Sequence, residues 1–219
     1  MSLRVGLTGG LAVGKSTVAE MFASQGAYVM YADRVGHDAM QPGERAYQEI
    51  IQRFGQSILN ADRTIDRKKL AGIAFGENRI EELNKIIHPA VRESMERWMK
   101  ETVEFDPRAL LIFEAALILE AGLGKYFDKL VVVTSSPEQK IERFAKRMMS
   151  PDASDEERRQ ALRDAEKRMG AQLSDAEKMA AADFIIDNSG TLADTERQVV
   201  RVAKELQKQA AMQSNARAL

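Results

Sequence analysis

Gly9-Gly10-Leu11-Ala12-Val13-Gly14-Lys15-Ser16 matches G-x-x-x-x-G-K-[ST], the phosphate-binding loop pattern. Its surroundings are those the pattern needs. Arg4-Val5-Gly6-Leu7-Thr8 before it is short and mostly apolar, as a buried strand is. Thr17-Val18-Ala19-Glu20-Met21-Phe22 after it has helical spacing, with Val18, Met21 and Phe22 on one side. Strand, glycine turn and helix start aim several backbone N–H groups at one point, where the helix dipole adds positive potential. Such a point holds an anion. Gly9 and Gly14 suit a backbone that adopts unusual dihedrals and approaches a phosphate closely. In this pattern Lys15 reaches the β- and γ-phosphates and the Ser16 hydroxyl sits on Mg²⁺. Gly9, Ala12, Val13, Gly14, Lys15, Ser16 and Thr17 are therefore the candidate nucleotide-binding residues. The competing explanation is a chance glycine-rich turn. At glycine frequencies of about 7%, a random chain of this length shows the pattern in roughly one case in a hundred, before the flanks are counted.

Outward from the loop, 219 residues give room for one large domain, or a core with small inserted subdomains. Hydrophobic residues make up 44% and charged residues 30%, an ordinary balance for a soluble globular protein. The 32 basic and 33 acidic residues leave a net charge of −1, which calls for neither nucleic acid nor an anionic membrane as partner. With no cysteine, disulfides, thiolate catalysis and cysteine-ligated zinc are excluded. The sequence runs directly into the phosphate-loop strand, so no signal peptide is expected. The longest apolar stretch, Ala109 to Leu123, is broken by Glu114 and Glu120, so no membrane span is expected either. A cytoplasmic protein is the expectation.

Five candidate strands alternate with helical patterns: Leu3–Thr8, Ala27–Tyr31, Ala109–Glu114, Lys129–Thr134 and Asp183–Asp187. Leu110-Leu111-Ile112-Phe113 and Leu130-Val131-Val132-Val133 are continuous apolar runs, as in strands covered on both faces. The alternation predicts an α/β fold with a parallel sheet, whose ligand lies beyond the C-terminal strand ends. Residues 34–104 look inserted: helix-rich, polar, with a turn at Asn60-Ala61-Asp62-Arg63. Residues 149–175 are densely charged, open on the turn signal Ser150-Pro151-Asp152, and offer few apolar anchors, so they read as a mobile segment. Leu192 to Gln209 reads as one long helix with Leu192, Val199, Val202, Ala203 and Leu206 as its buried stripe, and the last ten residues or so are expected to fray.

Several residues outside the loop could carry chemistry. Asp33 follows the second strand, where a carboxylate could take a proton from an acceptor hydroxyl or hold a water on Mg²⁺. It could equally be the N-cap of a helix starting near Arg34. Glu114 ends an apolar strand, as a metal-directed acid would, though a solvated strand-end charge is the plainer reading. Lys140, Arg143 and Arg147 fall on one helix face, where guanidiniums could meet a triphosphate or simply face water. Pro89 reads as the first residue of a helix over Ala90–Lys100, with His88 as its cap or a buried hydrogen-bonder. Asp33-Arg34-Val35-Gly36 fits the D-x-x-G of GTPases, but the guanine-reading N-K-x-D is missing: Asn84-Lys85-Ile86-Ile87 has no Asp. A different kinase of the same fold, or a non-catalytic nucleotide switch, remain alternatives on the residues alone.

Taken in order, the motifs resemble those of dephospho-coenzyme A kinases along nearly the whole chain. Gly6 to Thr17 matches G-L-T-G-G-x-x-x-G-K-S-T, Tyr31-Ala32-Asp33 stands at D-A-D, and Phe54-Gly55 at F-G. Ile65 to Leu70 matches I-D-R-x-x-L, Ile87-His88-Pro89 is I-H-P, and Ala116 to Gly122 stands at P-L-L-x-E-x-G. Ser136-Pro137-Glu138 with Arg143 and Arg147 follows, and Ala182 to Gly190 matches A-D-x-x-I-x-N-x-G.

The resemblance implies an adenylate-kinase-like P-loop fold, a five-stranded parallel sheet flanked by helices. It implies one kinase domain over 1–219: a core of 1–33, 105–148 and 176–219, a helical coenzyme-A-binding insert over 34–104, and a lid over 149–175. It implies transfer of a phosphoryl group from ATP, with Mg²⁺, to the ribose 3′-hydroxyl of dephospho-CoA, giving CoA and ADP, with no protein partner. By position, Lys15, Asp33 and Arg143 would be catalytic, Asp33 as the base at the 3′-hydroxyl. Arg147 would face the phosphates and Asn188 would lie near the adenine. Thr8, Asp33, His88 and Leu117 would be on the dephospho-CoA side. The chain departs from the pattern at Tyr31 in place of the first Asp of D-A-D, Ala116 in place of Pro, and Ala12-Val13 where Gly-Ser is common. Lys140 stands in place of a lid glutamine, and the segment between Arg147 and Arg168 is longer than usual.

Overall fold

In the computed structural model, which describes residues 2–149, 153–170 and 172–216, the apolar runs lie side by side as one sheet. The strands are β1 (Leu3–Gly9), β2 (Tyr28–Tyr31), β3 (Leu110–Glu114), β4 (Lys129–Thr134) and β5 (Phe184–Asp187), in the order β2-β3-β1-β4-β5. The pairing of β1 with β3 and β4, and of β4 with β5, is parallel. The helices are α1 (Lys15–Ser24), α2 (Ala32–Asp38), α3 (Arg45–Phe54), α4 (Arg67–Gly76), α5 (Ile80–Phe105), α6 (Pro137–Met148), α7 (Asp155–Gly170), α8 (Asp175–Ala180) and α9 (Leu192–Ala216). Among the described residues no helix is long and apolar enough to cross a membrane.

The chain forms two compact units. One runs to Met30 and resumes at Thr102; the other is Tyr31–Glu101. In the first, β3 and β4 are buried almost throughout, which is why Leu110–Phe113 and Leu130–Val133 are unbroken apolar runs and do not alternate; β1 is buried except at Arg4. Val18, Ala19 and Phe22 of α1 and Val199, Val202, Ala203 and Leu206 of α9 are buried with them. Asp128 stitches the start of β4 to β1 by accepting from the Arg4 backbone N at 2.9 Å, Nε at 3.0 Å and Nη2 at 2.7 Å. In the second unit, α3, α4 and the start of α5 close on a separate core of Ile50, Phe54, Ile58, Leu70 and Leu83. Its expected turn forms: Arg63 takes φ +66°, the Thr64 N–H donates to Asp62 at 3.0 Å, and Tyr47 donates to the Arg63 carbonyl at 2.6 Å.

Some local expectations are corrected. Pro89 does not start a helix; it lies inside α5. Buried residues on both sides of it, Leu83 before and Val91, Met95 and Met99 after, share the helix, and their packing outweighs the one backbone hydrogen bond that proline removes. Leu192 is 65% exposed because it is the first residue of α9, ahead of the buried stripe. The charged segment contains the 16-residue α7, whose Ala161 and Ala165 are buried. Its opening turn, Ser150-Pro151-Asp152, lies outside the described residues. At the other end α9 stays helical to Ala216, and residues 217–219 lie outside the description.

Candidate nucleotide and phosphoryl-transfer site

The loop between β1 and α1 is shaped by contacts that leave no room for other residues. Gly9 closes β1 with φ +155°, and a Cβ there would lie 2.2 Å from the Val133 carbonyl oxygen of β4. Gly14 precedes α1 with φ +90°, and a Cβ there would lie 2.3 Å from the Asn188 amide nitrogen. Between them Ala12 has φ +54°, a left-handed conformation that costs a non-glycine residue about 1–2 kcal/mol. Burial of its methyl group offsets that cost: Ala12 packs with Phe144 of α6 and Ala165 of α7, with Leu11 alongside. The departure from Gly-Ser at this point thus supplies an apolar anchor for α7.

Lys15 opens α1, and its ammonium donates to the carbonyls of Gly9 at 3.2 Å and Gly10 at 3.0 Å. Ser16 is exposed and Thr17 half-buried on the same turn. That first turn carries no acidic residue, so the positive end of the helix dipole is undiminished.

The Val13 end of the loop is held from outside. Asn188, 4% exposed just beyond β5, donates from Nδ2 to the Val13 carbonyl at 2.8 Å. Its Oδ1 accepts from the buried Thr195 hydroxyl at 2.8 Å. Arg143 of α6 donates from Nη2 to the Asn188 carbonyl at 3.0 Å and from Nη1 to the Ser135 hydroxyl at 3.2 Å, with the Val13 carbonyl at 3.5 Å. Ser136 caps α6 and Pro137 opens it, which fixes where Arg143 falls. Arg147, one turn further, is exposed. Lys140, one turn earlier, is 3% exposed, so the basic face of α6 grades from buried to open.

Thr8 is fully buried, and its hydroxyl donates to the Ala116 carbonyl at 3.2 Å. It holds the segment that leaves β3 and does not line an open surface, correcting the expectation for it. Leu117, next in that segment, is 37% exposed. Glu114 is 5% exposed, opposite Leu7 in the sheet, which overturns its reading as a solvated strand-end charge.

Asp33 belongs to the other unit. It is exposed in the first turn of α2, whose N-cap is Tyr31, so Asp33 is not the cap. Tyr31 stacks beneath Arg34, whose guanidinium carbon is 4.6 Å from the ring centre. His88 lies at the surface of α5, and is neither a cap nor buried; partial desolvation lowers its pKa below that of ordinary histidine.

Thr195, Ser135 and Gln139 were not legible as site residues. Gln139 accepts from the Ser135 hydroxyl at 2.7 Å and donates to the Ser189 carbonyl at 2.8 Å. Gln139 reaches 50 residues along the chain to Ser189, while Ser135 and Thr195 bond near neighbours, Gln139 and Asn188, whose own place in the site depends on distant contacts. A group of three or more His, Cys, Asp or Glu side chains able to hold a metal ion is absent among the described residues.

A family model described as dephospho-CoA kinase matches residues 3–194. A dephospho-CoA kinase of Aquifex aeolicus is 41% identical over 204 residues, covering 93% of this chain and 97% of the relative. Among solved structures, TT1252 from Thermus thermophilus superposes with a TM-score of 0.71 at 27% identity, covering 94% of this chain and 98% of its own. A dephospho-CoA kinase from Campylobacter jejuni gives 0.59 at 26% identity, with the same coverage.

Proposed function

This chain belongs to the dephospho-CoA kinase family, and from that premise we propose how its residues divide the reaction. The protein is a transferase that phosphorylates dephospho-CoA from ATP, the final step in making coenzyme A. In that reaction the acceptor 3′-oxygen forms a bond to the γ-phosphorus, the bond from that phosphorus to the β,γ-bridging oxygen breaks, and the hydroxyl proton must leave.

The backbone N–H groups of residues 9–16 cradle the phosphates. Lys15 moves from the loop carbonyls to the β- and γ-phosphates, where a compact charge counts most as negative charge shifts in the transition state. Mg²⁺ fits this donor set. The ion prefers hard oxygens and keeps several waters, and with no acidic cage among the described residues it would be held by the Ser16 hydroxyl and the nucleotide's own phosphates. When bound it neutralises phosphate charge. Arg143 aligns the loop through Asn188 and offers its guanidinium to the phosphates, with Arg147 joining from the open end of α6. Asn188 serves the adenine side by fixing the loop that precedes α1. Asp33 orients the 3′-hydroxyl and takes its proton late, because an alcohol is too weak an acid to lose it beforehand. Residues 34–104, with His88, take the pantetheine end of dephospho-CoA, and Leu117 contributes an apolar contact. Residues 149–175 close over ATP, and hydrogen exchange in α7 should slow when both substrates bind; equal exchange with and without them overturns the lid.

The observation that carries this reading is a phosphate loop whose glycines are sterically obligatory and whose Val13 carbonyl is clamped by Asn188. The direct test is incubation with Mg-ATP and dephospho-CoA, followed for CoA and ADP. Formation of ADP without CoA, or of neither, refutes it.

A further inference from the structure

The Gly10 end of the loop differs from the Val13 end: Arg143 brings charge to the Val13 end, whereas an acid and a base together flank Gly10. A Cβ built on Gly10 would lie 3.0 Å from Oδ1 of Asp175 and 3.7 Å from Nζ of Lys140. Lys140 and Asp175 form an ion pair through Oδ2, which also accepts from the Thr134 hydroxyl at 3.4 Å. The lysine side chain is 4% exposed and the aspartate 31%. A carboxylate thus sits against the first residues of a loop built to collect anions.

Asp175 is not placed to swing away. It is the first residue of α8, where Ser174 and Glu177 form a reciprocal capping box. One turn on, the fully buried Lys178 lies 2.8 Å from Glu120 Oε1 and donates to the Ala116 carbonyl at 3.0 Å. Glu120 Oε1 also accepts from the Leu173 N–H at 3.1 Å. Lys178 is committed to Glu120, so Lys140 is the cation paired to Asp175. Lys140 also stands where the family pattern has a neutral glutamine.

We infer that Lys140 is a positioning residue whose charge cancels that of Asp175 beside the phosphate loop. The inference rests on the loop binding ATP. Removing the lysine alone leaves a pinned carboxylate next to the phosphate cradle. Removing both charges restores neutrality.

The test is a two-residue cycle, read as KM for ATP, KM for dephospho-CoA and calorimetric affinity for Mg-ADP. Lys140→Gln and Lys140→Met should each raise KM for ATP and weaken Mg-ADP about tenfold, with KM for dephospho-CoA unchanged. Adding Asp175→Asn to either should restore most of the loss, and Asp175→Asn alone should not raise KM for ATP. If the double variants bind no better than the lysine variants, Lys140 grips phosphate directly and the inference fails. It fails too if Asp175→Asn alone costs as much as Lys140→Gln. Each affinity is measured below that variant's own melting temperature, so lost stability does not mimic lost binding. Wild-type protein that makes no CoA would refute the kinase reading, while Mg-ADP affinities would still decide the pair.

Discussion

The phosphate-loop unit and the Tyr31–Glu101 unit treat their candidate functional groups in opposite ways. In the first, Thr8, Asn188 and Lys140 are buried, Arg143 is tied to the Asn188 carbonyl and Lys15 to the Gly9 and Gly10 carbonyls of the loop. In the second, Asp33 and His88 are exposed on helix surfaces around a separate apolar core. The contrast suits the roles proposed for the two units. Phosphate recognition by backbone N–H groups needs a loop held in one shape before ligand arrives, because a loop ordered on binding spends affinity on entropy. A group that acts on an incoming hydroxyl must remain reachable. The first unit puts Thr8, Asn188, Lys140 and Arg143 into hydrogen bonds or an ion pair and leaves Ser16 and Arg147 open, while the second leaves Asp33 and His88 exposed.

Substitutions should expose that contrast. Lys15→Ala should produce the largest effect, a fall in kcat of about 10³ or more. Its melting temperature should stay near wild type, since the lysine donates to the Gly9 and Gly10 carbonyls of its own loop and lies outside the apolar core; near-normal turnover by a folded variant would break the comparison at its strongest point. Asp33→Asn should lower kcat by about 10²–10⁴ while KM for ATP barely moves and stability is unchanged, as expected for an exposed group. If it instead weakens Mg-ATP with kcat preserved, Asp33 works in the metal shell and not as the base.

Asn188→Ala should behave differently from Asp33→Asn. It leaves the Val13 carbonyl and the Thr195 hydroxyl without their shared partner, so chemical denaturation should show a loss of about 2 kcal/mol along with weaker ATP binding. A stability loss without an ATP effect would make Asn188 structural only. The smallest effect concerns pH. Burial raises the Asp128 pKa, but hydrogen bonds and charge from Arg4 outweigh it and hold the carboxyl below its ordinary value. A carboxyl depressed in the folded state contributes stability that is present above its unfolded pKa and lost as pH falls through the folded one. Asp128→Asn should therefore be less stable than wild type at neutral pH, by under about 1 kcal/mol for so exposed a pair. The gap should close below about pH 4. A gap independent of pH would show that shape, not charge, joins β1 to β4.

β3 and β4 were legible because strands buried on both faces are apolar without a break, the half-buried β2 and β5 because they are short apolar stretches between helical patterns, and the loop because its glycines answer to backbone sterics. Pro89 misled because a local rule about helix starts is weaker than a buried stripe that spans the proline. Leu192 misled because helical spacing says which face a residue shares, not whether a neighbour covers it.

By itself, then, the sequence determined the α/β alternation, the phosphate loop and the family, since each depends on residues close together or on motifs in fixed order. Only the tertiary structure decided the strand order, the clamp of Asn188 on Val13, and the anchoring of α7 on Ala12. It alone brought Lys140 and Asp175 to Gly10. These contacts join residues far apart along the chain. Burial and charge compensation depend on which side chains meet, and no local pattern of residues encodes that.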